Sequence, residues 1–141
     1  MPAIVAVIVV AVMAALSVLH IYWGLGGRAA RSAAVPEVAG RPSFTPTKWA
    51  TFAVAAALLF AAIVVAMAGR LLGSDIPAPL TRLLACGLAA TFIARGVGDF
   101  RLVGLFKRVR DTRFARLDSW VYAPLCLALG AAVAYIAYND G

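Results

Sequence analysis

The stretch from Pro79 to Asp99, PLTRLLACGLAATFIARGVGD, decides how this chain meets a bilayer. Its clean apolar part, Leu83 to Ala94, is too short to cross a hydrocarbon core of about 30 Å, which takes about 20 helical residues. A crossing helix must therefore start near Pro79 and continue through Arg95 toward Asp99, carrying a guanidinium below the interface. On this reading, residues 79–99 are the third of four spans.

The other three are plainer. Residues 3–23 open with an apolar run from Ala3 through Leu16, admit Ser17 and His20, and close on Tyr22 and Trp23, an aromatic pair suited to a membrane interface. A secretory signal peptide would carry a basic leading segment and a shorter apolar core, whereas Met1-Pro2-Ala3 has no charged side chain. Residues 48–69 hold Thr51 as the polar residue of their apolar run, and residues 119–138 are uncharged, with Asp118-Ser119 expected as their N-terminal cap. Pro124 lies just inside that last span. A helix starting ahead of it would lose the bond to the Trp120 carbonyl, so a bend or a polar neighbour is expected there.

Composition agrees with lipid as the solvent. The 141 residues are 64% hydrophobic and 13% charged, with a mean hydropathy of +0.94, against about 45–50% apolar and 25% charged in a soluble domain. Backbone groups cannot stay unpaired in lipid, so the spans are expected to be helices in an all-α, up-down-up-down bundle, one domain over residues 1–141. Abundant Ala and Gly favour close helix contact.

The net charge of +7 is unevenly placed. Arg28, Arg31, Arg41, Lys48, Arg101, Lys107, Arg108, Arg110, Arg113 and Arg116 flank one side of the spans, against Arg70 and Arg82 on the other. Because cytoplasmic loops are rich in Lys and Arg, this contrast predicts both termini outside a cytoplasmic membrane. No nucleic-acid recognition motif accompanies the charge. Anionic membrane lipids are the expected partners, with Arg101, Lys107, Arg108 and Arg110 as headgroup candidates. The surrounding stretch, Phe100 to Leu117, mixes apolar and basic residues suited to the membrane surface, but its apolar residues keep one helical face only as far as Val109. A bundle of four spans is thin, which leaves room for a homo-oligomer, yet its Ala-rich faces select no interface.

Depth counted from the span ends puts His20, Arg95, Asp99, Asp118 and Tyr122 in one layer at the basic side. These five are the candidate ligand-binding residues. Asp99, four residues after Arg95 on a continued helix, is expected to pair with it and lower the cost of an intramembrane charge. Arg95 offers a fork to a phosphate or carboxylate, and His20 is available to a proton or a ligand. The structural alternative is that Arg95 snorkels to the headgroups while paired with Asp99, and that His20 bonds across the bundle or lies at the interface.

Other chemistries find little purchase. Cys86 and Cys126 fall at depths roughly 10 Å apart, too far for a disulfide, and are read as buried free thiols. One histidine, without Cys-x-x-Cys or paired intramembrane carboxylates, supplies no metal ligand set, and no cofactor is expected. Gly96-Val97-Gly98 mimics part of a dinucleotide fingerprint but follows a helix, so these glycines read as close packing or a hinge.

The stretches His20-Ile21-Tyr22-Trp23-Gly24-Leu25-Gly26-Gly27, Ala94-Arg95-Gly96-Val97-Gly98-Asp99-Phe100-Arg101 on through Lys107-Arg108, and Thr112-Arg113-Phe114 through Tyr122-Ala123-Pro124-Leu125-Cys126 resemble a family of small bacterial four-helix membrane proteins catalogued as a domain of unknown function. The resemblance covers most of the chain and implies a bacterial cytoplasmic-membrane protein. It brings no activity or cofactor with it, and its motifs fall on the polar layer already picked out by depth. The leading expectation is a non-enzymatic membrane protein that binds an anionic amphiphile or a partner at a cytoplasm-facing polar pocket. A small transporter or proton-coupled carrier, and an interfacial lipid-modifying enzyme, are the alternatives.

Overall fold

Proline is well suited to the first position of a helix, where its missing N–H would find no partner. Pro2 starts α1 in this way in the computed structural model, which describes residues 1–73 and 75–139. Among the described residues, four helices are long and apolar enough to cross a membrane: α1 (Pro2–Gly24), α2 (Lys48–Ala68), α3 (Ala78–Val97) and α4 (Arg113–Asn139). At 1.5 Å per residue the shortest reaches about 30 Å.

Helix pairing follows small side chains. In α1, Ala6, Val9, Met13 and Ser17 are buried at helical spacing and face α2 and the core. Gly69 at the end of α2 meets Ala6, the Ser17 hydroxyl donates to the Ala55 carbonyl at 2.8 Å, and Gly24 meets Phe52. These contacts run in opposite order along the two helices, so α1 and α2 are antiparallel. A second antiparallel pair is α3 with α4, where Gly96 meets Leu127 and Gly130 meets Ile93. The two pairs close on a core that includes Met13, Val64, Val65, Ala85, Ala89, Val133 and Ile136. Large apolar side chains such as Ile8, Phe60, Leu83 and Trp120 point outward, the inverse of a soluble protein and the arrangement that lipid favours.

Two boundaries differ from the sequence reading. Helix α3 stops at Val97 because Gly98 (φ +96°) turns the chain away, which puts Asp99 off the helix and out of register with Arg95. Helix α4 starts at Arg113 rather than near residue 119. The Thr112 hydroxyl caps it by accepting from Ala115 N–H at 3.1 Å, so Asp118 lies inside the helix instead of capping it. The basic residues Arg113 and Arg116 disguised that first turn as loop.

Between α1 and α2 the chain makes a short 3₁₀ turn (Arg31–Ala34) and a two-stranded hairpin, Glu37–Val38 against Arg41–Pro42. Its two-residue turn, Ala39-Gly40, has positive φ at both positions, as a tight right-twisted hairpin requires. Cys86 is exposed on the outer surface of α3 and Cys126 is half-buried, so only the latter approaches the buried thiol expected of both.

The closeness of α3 and α4 gives a direct test. A Cβ on Gly130 would lie 2.7 Å from Ile93 Cγ1 and 3.0 Å from the Ala89 carbonyl, whereas one on Gly87 would meet nothing within 4 Å. Gly130→Val is expected to cost about 1–3 kcal/mol through overpacking. Gly87→Val should leave the unfolding midpoint in detergent nearly unchanged.

Candidate functional site

The polar site is built around a distortion in α4. Pro124 has no N–H to give the Trp120 carbonyl, and its ring crowds that oxygen. The residues ahead of it, Asp118–Tyr122, form a wider π-helical turn in which Ala123 N–H donates back to the Asp118 carbonyl. Such single-turn insertions are frequent at functional sites. This one aims Asp118 into the protein, where it is fully buried.

A buried carboxylate needs partners, and Asp118 has three. Arg95 Nη2 donates to Oδ1 at 2.9 Å, while the Gly104 amide and Lys107 Nζ donate to Oδ2 at 2.6 and 3.1 Å. Lys107 Nζ also donates to the Gly104 carbonyl at 2.9 Å and to Ser119 Oγ at 2.7 Å, so its three protons meet three acceptors. Lys107 was expected among the headgroup-facing bases; at 1% exposure it is instead an interior residue. Arg101, Arg108 and Arg110 remain on the surface of the same segment.

Residues 98–107 reach Asp118 by folding back onto the end of α3. Leu105 and Phe106 N–H groups bond to the Gly96 and Val97 carbonyls, taking up acceptors that a helix terminus leaves unpaired. Gly98 and Gly104 (φ +86°) lie backbone to backbone there, and a Cβ on either would strike the other's main chain. The Asp99 carboxylate accepts from the Arg101, Leu102 and Val103 amides at 2.9, 2.7 and 3.0 Å. Those bonds, Val103's foremost, hold its carboxyl below the usual carboxylate range. Asp99 therefore shapes the loop, and Arg95 pairs with Asp118 instead.

The remaining two candidates look the other way. Tyr122, on the π turn, stacks at 6.0 Å from Phe114 and donates its hydroxyl to the Ala33 carbonyl at 3.1 Å, tying α4 to the first connection. His20 Nδ1 lies 2.7 Å from its own helix's Leu16 carbonyl, not across the bundle, and packs edge-on to Trp23 at 5.0 Å. It lines a cavity of about 210 Å³ with Trp23, Arg31, Val35, Phe44 and Thr51, among others, and none of the other four candidates lines it. Of the five residues, Arg95 and Asp118 meet in one charged cluster, His20 lines a separate cavity, Asp99 orders the loop and Tyr122 ties α4 to the first connection.

Gly104 is the site residue that sequence reasoning missed, and Lys107, expected at the headgroups, has an interior role instead. A weak signal was available: Lys107 is a lysine in a chain whose basic residues are almost all arginine, and a compact ammonium suits three converging acceptors where a planar fork does not.

The four helices long and apolar enough to cross a membrane among the described residues define the class: this is a multi-pass α-helical membrane protein. Within that class, the chain belongs to the family described as protein of unknown function DUF3995, whose match spans residues 2–133. Comparison with curated proteins and with solved structures returned no match.

Two measurements follow from this geometry. Asp118→Ala leaves two cations facing each other and is expected to cost about 3–5 kcal/mol, the range for breaking a buried pair. Lys107→Met in that background should restore part of the loss, because it removes one stranded charge; chemical unfolding of both variants in detergent measures the recovery. Separately, Asp99→Asn at neutral pH should speed tryptic cleavage after Arg101 severalfold by freeing the loop amides. In the unsubstituted protein the Asp99 contribution is complete above the ordinary aspartate pKa and fades as pH falls through the lowered folded value.

Proposed function

We propose that this protein binds the anionic head of an amphiphile at Arg95, at the basic end of the bundle, and that this end faces the cytoplasm with both termini outside. One observation carries the reading. Arg95 Nη1 is buried with no hydrogen-bond partner among the described residues, beside a cluster that holds two cations and one carboxylate. An unmet buried donor costs about 1–3 kcal/mol, more when charged, and an incoming oxyanion relieves that cost. The Arg95 side chain as a whole is 36% exposed, so the residue borders open space although Nη1 itself is covered.

Phosphate and carboxylate both suit the second prong of an arginine fork. Arg101, Arg108 and Arg110 add positive field around the approach, and the neighbouring lipid supplies an apolar environment for an acyl tail. A proton-coupled carrier draws less support because His20 lines a separate cavity. A lipid-modifying enzyme draws less because both Asp118 oxygens already accept strong bonds.

Dodecyl phosphate added to protein in dodecyl maltoside tests the reading. Thermal stability of the wild type is expected to rise with phosphate amphiphile, by about 2.7 kcal/mol at a hundredfold excess over Kd, and not with dodecanol. Arg95→Lys keeps a cation for Asp118 but removes the second fork nitrogen. It should hold its unliganded stability while losing about tenfold or more in affinity, the effect of one charge-assisted bond. Equal binding by wild type and Arg95→Lys, or equal stabilisation by dodecanol, contradicts the proposal.

A further inference from the structure

The cavity beside His20 lies apart from the Arg95 cluster and has a different chemistry. It sits between the last turn of α1, at His20 and Trp23, and the first turns of α2, at Ala50, Thr51 and Val54. The first connection roofs it through Arg31, Val35, Phe44 and Pro46. Three bonds hold that roof in place: Trp23 Nε1 donates to the Ala29 carbonyl at 2.7 Å, Arg31 Nη2 to the Pro46 carbonyl at 3.2 Å, and the Tyr122 hydroxyl to the Ala33 carbonyl at 3.1 Å.

The polar groups of this cavity are specific in kind. The Leu16 carbonyl 2.7 Å from His20 Nδ1 can only accept, so Nδ1 carries the proton and, in the neutral ring, Nε2 is left as an acceptor. Thr51 offers little, since its hydroxyl already donates to the Thr47 carbonyl at 2.9 Å. Arg31 spends Nη2 on Pro46 and keeps the rest of a five-donor fork. The complementary ligand presents one hydroxyl donor, to His20, and one acceptor oxygen, to Arg31, on an apolar body.

Size is compatible with a ring: an enclosed cavity of about 150 Å³ accommodates benzene, and this half-open one offers about 210 Å³. Trp23 and Phe44 supply aromatic walls for it. A ring bearing oxygens at opposite ends matches the two polar groups, and a lipid tail would bring it to a site at the rim of a membrane bundle. We propose that the His20–Arg31 cavity binds the ring of a lipid-soluble hydroquinone, one hydroxyl donating to His20 Nε2 and the other oxygen accepting from Arg31. This is a binding site and involves no electron transfer.

Decyl hydroquinone, kept reduced under argon, is the probe, with its dimethyl ether as the control that keeps the ring and both oxygens but donates nothing. Isothermal titration into the detergent-solubilised full chain is expected to show saturable binding of the hydroquinone and about tenfold or weaker binding of the ether, the loss of one hydrogen bond to a buried acceptor. That comparison needs no variant. His20→Phe, which keeps a ring against Trp23 but removes Nε2, should weaken hydroquinone binding by a similar factor, and Arg95→Lys should leave it unchanged. Equal affinity for hydroquinone and ether, or no binding of either, overturns the proposal. Binding that survives His20→Phe but falls in Arg95→Lys would also overturn it, by placing the ring at the charged cluster instead.

Discussion

A carboxylate cannot stay ionised inside a membrane bundle without partners, and that constraint on Asp118 organises the basic end of this protein. Two cations and a backbone amide converge on it, Arg95 from the last turns of α3 and Gly104 and Lys107 from the segment between α3 and α4. To deliver Gly104 and Lys107 the chain must reverse at Gly98 and pack against the end of α3. That same reversal caps the last carbonyls of α3 and brings Asp99 under three loop amides. What looks like a basic surface loop in the sequence is therefore partly interior.

The Asp118 turn also connects the two polar regions. Its π-helical geometry follows from Pro124, and four residues on from Asp118 it carries Tyr122, whose hydroxyl holds the 3₁₀ turn that roofs the His20 cavity. Tyr122 thus ties the helical turn that carries Asp118 to the connection that roofs the cavity. The two regions differ in chemistry: one holds an excess cation with an unmet donor, the other an apolar chamber with a histidine acceptor.

The crossing helices were legible in sequence because hydropathy and length act over some twenty residues and are insensitive to detail. Observed spans such as Lys48–Ala68 and Ala78–Val97 fall within a residue or two of the reading from composition. Depth counting also found Arg95 and Asp118, since both lie near span ends. It failed where a single residue redirects the chain. Gly98 breaks the helix just before Asp99, so an i,i+4 argument assigned Arg95 the wrong carboxylate. Lys107 was assigned outward because a positive charge in a basic loop is normally solvated, and only a tertiary partner 11 residues away brings it inside.

Amine acylation followed by peptide mass spectrometry tests this account most directly, because Lys48 and Lys107 are the only lysines. Lys48 is exposed at the start of α2, and Lys107 is buried against Asp118. In folded protein the account requires Lys48 to acylate readily and Lys107 to stay protected until the protein unfolds, with Asp118→Ala exposing it. Equal labelling of both lysines in the folded wild type would contradict it.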